Sequence, residues 1–472
     1  MYYCKPSYII FRNCLDFGYL TDNRNFGYDT ASKSCLKVGD RILSKTGSVF
    51  YSVLTEKPQS VYDLSNQLSR LFIGVSRDEI ENDAREFYNE LSRDGFIISC
   101  ESKALMLSAS IFSYENRVPL VMERGKVETG EGSLDLNWGT MYHLNRVHVD
   151  VSGLCNEHCV HCYIPDSYRR LTMHKDLFQE IIAQCTACNV LNITISGGEP
   201  MLNPYLPDFI KLCEKYNYSI NVLTNLTLLT DELLYLFKNT PLLSVQTSLY
   251  SLNAEIHDEI TGVRGSFAKT KKAIETLREH NVPMQINCPI MRLNKDSYKD
   301  VLDWAKSLNI ESNSDYMLFG CFDGSQKNIK SRLTLSEVEA IIRCQKDDNV
   351  DANHSNQIEG DIGRICPVCT NSLCISHTGN VYPCKGWQEF VLGNVQRESL
   401  AEIWDNSARV TELRNLSYDD FPKCLSCEDK EYCSLCLIRN ANESISNDYK
   451  ETNPYFCSIA RFMRLYSEDE IS

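Results

Sequence analysis

At 472 residues the chain is too long for one small module, and a prior of roughly 100 to 200 residues per domain leaves room for about two to four. Hydrophobic residues make up 43% and charged residues 24%, which excludes disorder as its main character. The formal charge of -15 excludes the broad basic footprint that phosphate backbones require and points to a peptide or small-molecule partner, not nucleic acid.

The N-terminus, MYYCKPSYII, lacks a basic region followed by a sustained apolar stretch, and no apolar run of about 18 residues occurs. Neither a signal peptide nor a membrane span is expected, so the chain reads as cytoplasmic. Residues 1–32 are strand and turn material (SYIIF, NRNFGYDT) without an assignable role. Residues 33–105 form a unit of their own: a helix near Gly47 to Leu54, a break at Pro58, a helix from Ser60 and another from Ser76. Val61, Leu64, Leu68 and Leu71 recur at helical spacing, as do Ile80, Ala84, Phe87 and Leu91, so each helix has one buried stripe. Asp94-Gly95 stops the third helix, and Phe96 to Ile98 reads as a returning strand. The whole is a winged-helix pattern, but Arg77 to Asp94 carries seven acids against three arginines, which repels phosphate. Through this helix pattern and the runs DLSNQL and GFI, the segment resembles the PqqD-like domain that holds the leader of a precursor peptide. The resemblance implies that the leader adds as an extra strand and packs on the third helix. Residues 106–140, with Gly125, Gly130 and Gly132 among mixed charges, read as a linker.

From residue 141 to 335 the pattern alternates. β-rich runs at 147–151, 193–196, 220–224, 243–248, 284–290 and 316–319 are separated by helical stretches at 176–188, 204–215, 231–239, 267–280 and 297–308. The fold class is α/β, a parallel sheet curled into a partial (β/α)6 TIM barrel, with chemistry expected at the C-terminal ends of the strands.

The motifs stand at those ends. After the first strand come Cys155, Cys159 and Cys162 in CxxxCxxC spacing. Zinc would need a fourth ligand, for which His158 or His161 is available. A four-iron cluster held by three thiolates keeps one iron open for a cofactor, and a strand-end position favours that. Ser196-Gly197-Gly198-Glu199-Pro200 follows the second strand. Together the two motifs resemble those of radical S-adenosylmethionine enzymes. The resemblance implies that the open iron chelates the cofactor's amino and carboxylate groups, with Gly197, Gly198, Glu199 and Pro200 at the amino group. It also implies that one electron from the reduced cluster releases a 5′-deoxyadenosyl radical. Thr224-Asn225 resembles the family's TNG element, with Leu226 in place of the glycine. Ser248, in the run Val245 to Leu249, resembles the serine of the fourth strand that contacts the cofactor. The segment His257 to Phe267 is similar to a region where relatives carry a carboxylate-binding arginine, for which Arg264 is the candidate here.

Nine of the 22 cysteines fall within residues 366 to 457. In a reducing compartment such clusters are metal ligands or redox centres, not disulfides. The spacing is Cys366-x12-Gly379-x4-Cys384, then Cys424-x2-Cys427-x5-Cys433-x2-Cys436, then Cys457. The paired CxxC segment alone also fits a zinc ribbon, but seven cysteines exceed one tetrahedral zinc. The order resembles a SPASM domain, here within residues 336–472, which carries two auxiliary 4Fe–4S clusters. The family's crossed ligation implies Cys424, Cys427, Cys433 and Cys457 on the outer cluster, and Cys366, Cys384 and Cys436 on the inner one. Cys369, in a CPVC loop, is preferred over Cys374 as a fourth inner ligand. Cys185 and Cys188 lie at helical spacing and read as packing.

The combined resemblance implies a maturase that uses S-adenosylmethionine and three 4Fe–4S clusters to form thioether cross-links in a ribosomally made precursor peptide. A flavodoxin or ferredoxin-type protein is the expected reductant. Carbon–carbon or carbon–oxygen cross-linking, formylglycine formation and a zinc-binding winged-helix regulator are the rivals.

Overall fold

The computed structural model describes residues 1–23, 38–104, 106, 112–114, 142–347 and 365–468. Most of the expected linker, including Gly125, Gly130 and Gly132, lies outside the described residues.

Serines start the helices of the N-terminal unit. The strands are β1 (Tyr2–Cys4), β2 (Ile9–Asn13), β3 (Phe17–Asp22), β4 (Arg41–Ser44), β5 (Gln59–Ser60) and β6 (Ile98–Cys100); the helices are α1 (Lys45–Ser52), α2 (Val61–Leu68) and α3 (Arg77–Arg93). Ser44, Ser60 and Ser76 each accept a backbone N–H of the first turn, and Ser60 with Asp63 completes a reciprocal cap. β2, β3 and β4 form an antiparallel meander, while β1 lies between β5 and β6. The segment before residue 24 therefore shares a core with the helices: Tyr3, Ile9 and Leu20 pack with Leu64, Leu68 and Tyr88. On α3 it is Tyr88, not Phe87, that completes the fully buried stripe. Leu71 is exposed because α2 has already ended at Leu68.

The second unit repeats strand and helix as β7 (Arg146–Ser152), α4 (Lys175–Ala187), β8 (Asn192–Gly197), α5 (Leu206–Lys215), β9 (Ser219–Leu223), α6 (Asp231–Asn239) and β10 (Leu242–Ser248). It continues with α7 (Ala254–Thr261), α8 (Ser266–Glu279), β11 (Met284–Asn287), α9 (Tyr298–Ser307) and β12 (Glu311–Asn313). Asn189, Asn217, Asn281 and Asn309 each follow a helix with φ between 55° and 58°. Asparagine tolerates this left-handed cap, so the same device turns the chain into β8, β9, β11 and β12. The sixth strand is Glu311–Asn313, and not the apolar run Tyr316 to Phe319 expected above. That run is spent on packing: the Phe319 ring stacks on Tyr163 at 5.4 Å, beside the cysteine loop.

All six strands are parallel, in the order β12-β11-β10-β9-β8-β7. Val147, Val149, Val151, Ile193, Ile195, Ile220 and Val222 point outward to the helices and are fully buried. The alternate residues line the inner face and are polar: His148 and Asp150, Thr194, Asn221, Gln246 and Gln285. Beyond β7 the sheet continues with β13 (Ser372–Ile375), parallel to it, and then antiparallel β14 (Asn380–Tyr382) and β15 (Gly393–Asn394). The C-terminal cysteine region is thereby built onto the barrel's edge. The helix Leu437–Glu443 ties it down further, since Glu443 pairs with Arg332 at 2.7 Å and Asn442 donates to the carbonyls of Gly320 and Gly386.

The N-terminal unit docks where the barrel strands begin. Ile10 and Tyr19 pack on Leu191 and Leu243. Arg12, 6% exposed, donates to the carbonyls of Val190 and Asn217 at 2.8 and 3.0 Å and lies over the Tyr218 ring. Hydrogen bonds from a charged donor contribute about 1.5–3 kcal/mol each. Arg12→Ala is expected to destabilise the protein by on the order of 3 kcal/mol and lower Tm in a thermal melt, and Arg12→Lys to recover less than half of it, because an ammonium lacks the planar fork.

Candidate functional site

The site is assembled where β7 to β10 end. After β7 the chain turns into the loop bearing Cys155, Cys159 and Cys162, and the end of β8 is laid against it: Gly198 N–H donates to the Ser152 carbonyl (2.7 Å) and Glu199 N–H to that of Leu154 (2.8 Å). Only glycine permits this approach. Gly197 has φ of +133°, and a Cβ there would lie 2.2 Å from the Ser152 oxygen; one on Gly198 would lie 2.4 Å from that of Leu154. The far side of the loop is held by His158 and Val160, whose N–H groups donate to the carbonyls of Thr261 and Ile260 at the end of α7.

Glu199 is fully buried. Its Oε1 accepts from Met201 N–H (2.8 Å) and Thr224 Oγ1 (2.7 Å), and Oε2 from Asn225 N–H (2.7 Å). Burial nevertheless pushes its carboxyl up to about 7. A carboxylate offers about four acceptor positions, so one remains for a cation. Pro200 starts the short 3-10 turn that Glu199 caps. Asn225 reaches back to the cysteine loop, donating to Asn156 Oδ1 at 3.0 Å. Leu226 has φ of +62° with its side chain buried, so core packing holds the conformation that glycine adopts freely in the TNG pattern. Ser248 ends β10 opposite Asn287.

Arg264 is not drawn into this group. It is exposed on the turn between α7 and α8. Asp258 instead organises that turn, accepting from Gly265 N–H, Ser266 Oγ and Phe267 N–H.

Two members of the site lie inside the cysteine motif and carry no sequence signal of their own. Glu157 is 4% exposed, its Oε1 has no partner, and burial pushes its carboxyl up to about 7. Asn156 links the loop to Asn225 and Thr227. Burial likewise pushes the Cys155 thiol up to about 11. Three thiols, an orphaned carboxylate oxygen and Glu199 make a donor set that fits a cationic metal cluster and an ammonium-bearing ligand. Among the described residues no three His, Cys, Asp or Glu side chains gather closely enough for a single metal ion. His161 faces Tyr250, and burial pushes it down to about 4.

The C-terminal cysteines fall into two neighbourhoods. Cys366, Cys384 and Cys436 influence one another electrostatically, and Cys369 and Cys374 both lie near Cys384. Cys424, Cys427, Cys433 and Cys457 form the other group. Cys369 is fully buried with φ of +59°, and Arg414 donates to its carbonyl. A cavity of about 580 Å³ lies on the inner face of the sheet. It reaches Leu223, next to the Thr224 that holds Glu199, and is walled on the other side by Cys366, Cys374 and Cys384.

Residues 149–305 match the radical SAM superfamily and residues 366–428 the SPASM iron–sulfur cluster-binding domain. The chain is 28% identical to the antilisterial bacteriocin subtilosin biosynthesis protein AlbA of Bacillus subtilis, over 65% of this chain and 69% of that one. It is 26% identical to an AdoMet-dependent heme synthase of Methanosarcina barkeri, over 64% and 93%. The crystal structure of Streptococcus suis SuiB bound to the precursor peptide SuiA superposes with a TM-score of 0.58 at 16% identity, covering 97% of this chain and all of that one.

Gly198→Ala places a methyl group against the Leu154 carbonyl and 3.0 Å from Cys155 Cβ. Overpacking of this kind costs about 1–3 kcal/mol. The variant is expected to melt lower and, after reconstitution, to bind iron at the first site less completely, as read by iron and sulfide analysis.

Proposed function

The chain is a radical S-adenosylmethionine enzyme with a SPASM domain, and from that premise we propose that it installs thioether cross-links in a ribosomally made precursor peptide. The observation that carries the peptide reading is the edge of β4. Among the described residues β4 pairs with β3 alone, whereas the opposite edge of that sheet, β2, is tied to the barrel through Phe11 N–H and Asn217 Oδ1. Ile42 on β4 is 59% exposed, and α3 runs beside the strand, joined to it by Arg41 with Glu90 and Asp94. An exposed strand edge flanked by a helix suits an extended leader, as in the PqqD-like family. The likeness to SuiB supports this, because it extends over nearly the whole chain, N-terminal unit included.

In this reading Cys155, Cys159 and Cys162 hold the first 4Fe–4S cluster. Gly197, Gly198, Glu199 and Pro200 receive the amino end of S-adenosylmethionine, with Thr224, Asn225 and Ser248 completing the pocket. When bound, the cofactor supplies a carbon-centred radical that removes a hydrogen atom from the acceptor residue. Cys366, Cys369, Cys384 and Cys436 hold the inner auxiliary cluster, and Cys424, Cys427, Cys433 and Cys457 the outer one. The cavity between Leu223 and Cys384 takes the modified segment of the peptide, between radical source and electron acceptor. The enzyme works in the cytoplasm, fed by a flavodoxin or ferredoxin-type reductant.

Reconstituted protein is expected to hold roughly twelve irons with matching sulfide, and Cys366→Ala and Cys433→Ala to lose about four each, additively. With its precursor it should yield deoxyadenosine and a peptide two hydrogen masses lighter per link, with one cysteine per link protected from alkylation. Mass loss without cysteine consumption supports carbon–carbon or carbon–oxygen linkage instead; an unchanged peptide contradicts the proposal.

A further inference from the structure

We propose that His148 is the general base that takes the proton released when the cross-link forms, and that Asp150 and Gln388 position it. This rests on the peptide-modifying reading above, but not on which atom is joined to carbon.

His148 lies on the polar inner face of β7 and lines the 580 Å³ cavity, along with Cys366 and Cys384. Its Nε2 lies 3.1 Å from Asp150 Oδ1. The other oxygen of Asp150 accepts from Gln388 Nε2 at 3.0 Å. Asp150 and Gln388 are both 8% exposed, so this chain of contacts is shielded from bulk water. A carboxylate acceptor fixes Nε2 as the protonated nitrogen and leaves Nδ1 with its lone pair. Nδ1 makes no hydrogen bond among the described residues. Gln388 comes from the C-terminal domain, so Asp150 gains this second partner only when that domain is docked on the barrel.

The bond-forming step needs such a group. A carbon radical on the acceptor residue joins the substrate heteroatom, a thiol sulfur in the thioether reading. The S–H bond breaks, the S–C bond forms, and one electron leaves to an acceptor of the iron–sulfur class. The proton of the thiol is left over and passes to His148 Nδ1. Other ionisable groups close to the dyad are less suited. Burial pushes His377 down and holds Tyr163 and Tyr382 protonated, and among the described residues no other histidine lines the cavity. Arg146, which also lines it, is a permanent cation that does not take a proton.

The test runs the reconstituted holoenzyme with its precursor and measures deoxyadenosine and cross-linked peptide in the same reaction. In His148→Gln and His148→Ala, deoxyadenosine formation should persist while cross-linking falls by roughly a hundredfold, the low end of general-base contributions. Asp150→Asn should raise the ratio of deoxyadenosine to cross-link in the same direction, and it carries the test if the His148 variants fail to hold iron. Independently of turnover, bound precursor should shield His148 of the wild-type holoenzyme from carbethoxylation by diethyl pyrocarbonate, as mapped by mass spectrometry. An unchanged ratio in iron-replete variants, or carbethoxylation of His148 unaffected by precursor, overturns the proposal. Wild-type enzyme that leaves the peptide unaltered overturns the peptide reading itself, a result distinguishable from either.

Discussion

The close approach of two strand ends is the constraint on which the rest of this molecule depends. Gly197 and Gly198 let the end of β8 donate two hydrogen bonds to the backbone just before Cys155. That contact brings Glu199, a fully buried carboxyl, beside the thiols of the cysteine loop, where three further donors fix it from its own turn and the residues just after β9. A side chain at either glycine would separate the two groups. Burying acid and thiol together is unfavourable without a cation, and burial raises Glu157, Glu199 and Cys155 above their ordinary values. Three thiols and two buried carboxyls make a donor set that fits a metal cluster and an ammonium-bearing ligand.

The inner face of the sheet extends the same logic downward. Parallel strands covered by helices on one side only keep an apolar outer face and can afford a polar inner one. Here the inner face carries a histidine, an aspartate and several amides, and the C-terminal domain closes over it by adding β13 to β7. The cavity between them reaches Leu223, one residue before Thr224, on one side and Cys366, Cys374 and Cys384 on the other. Domain docking through Gln388 and the helix Leu437–Glu443 thus helps to wall this cavity and does not merely hold two folds together.

The barrel and its motifs were legible from sequence because periodicity and punctuation agree there. Apolar runs of period two alternate with helical stripes, and asparagines at the helix ends supply the left-handed turns. The sixth strand was not legible: Glu311–Asn313 is short and polar, while the more apolar run after it packs on Tyr163. Leu226 departs from the family's glycine, yet the backbone keeps the glycine-like conformation because the side chain is anchored in the core. Contacts between distant segments, such as Asn156 with Asn225 or Asp150 with Gln388, leave no local trace and emerge only from the fold. The C-terminal cysteines gather in two neighbourhoods through contacts that only the fold makes, and Arg264 stands on the exposed turn between α7 and α8.

The central claim is that a radical generated at the β7–β8 ends acts on a peptide lying in the adjoining cavity. Its most direct test is hydrogen transfer: precursor deuterated at the acceptor carbon is incubated with reduced enzyme and S-adenosylmethionine, and the deoxyadenosine is analysed by mass spectrometry. The account predicts deoxyadenosine carrying deuterium from the peptide. Deoxyadenosine free of deuterium, formed while the peptide is being modified at that carbon, would contradict it.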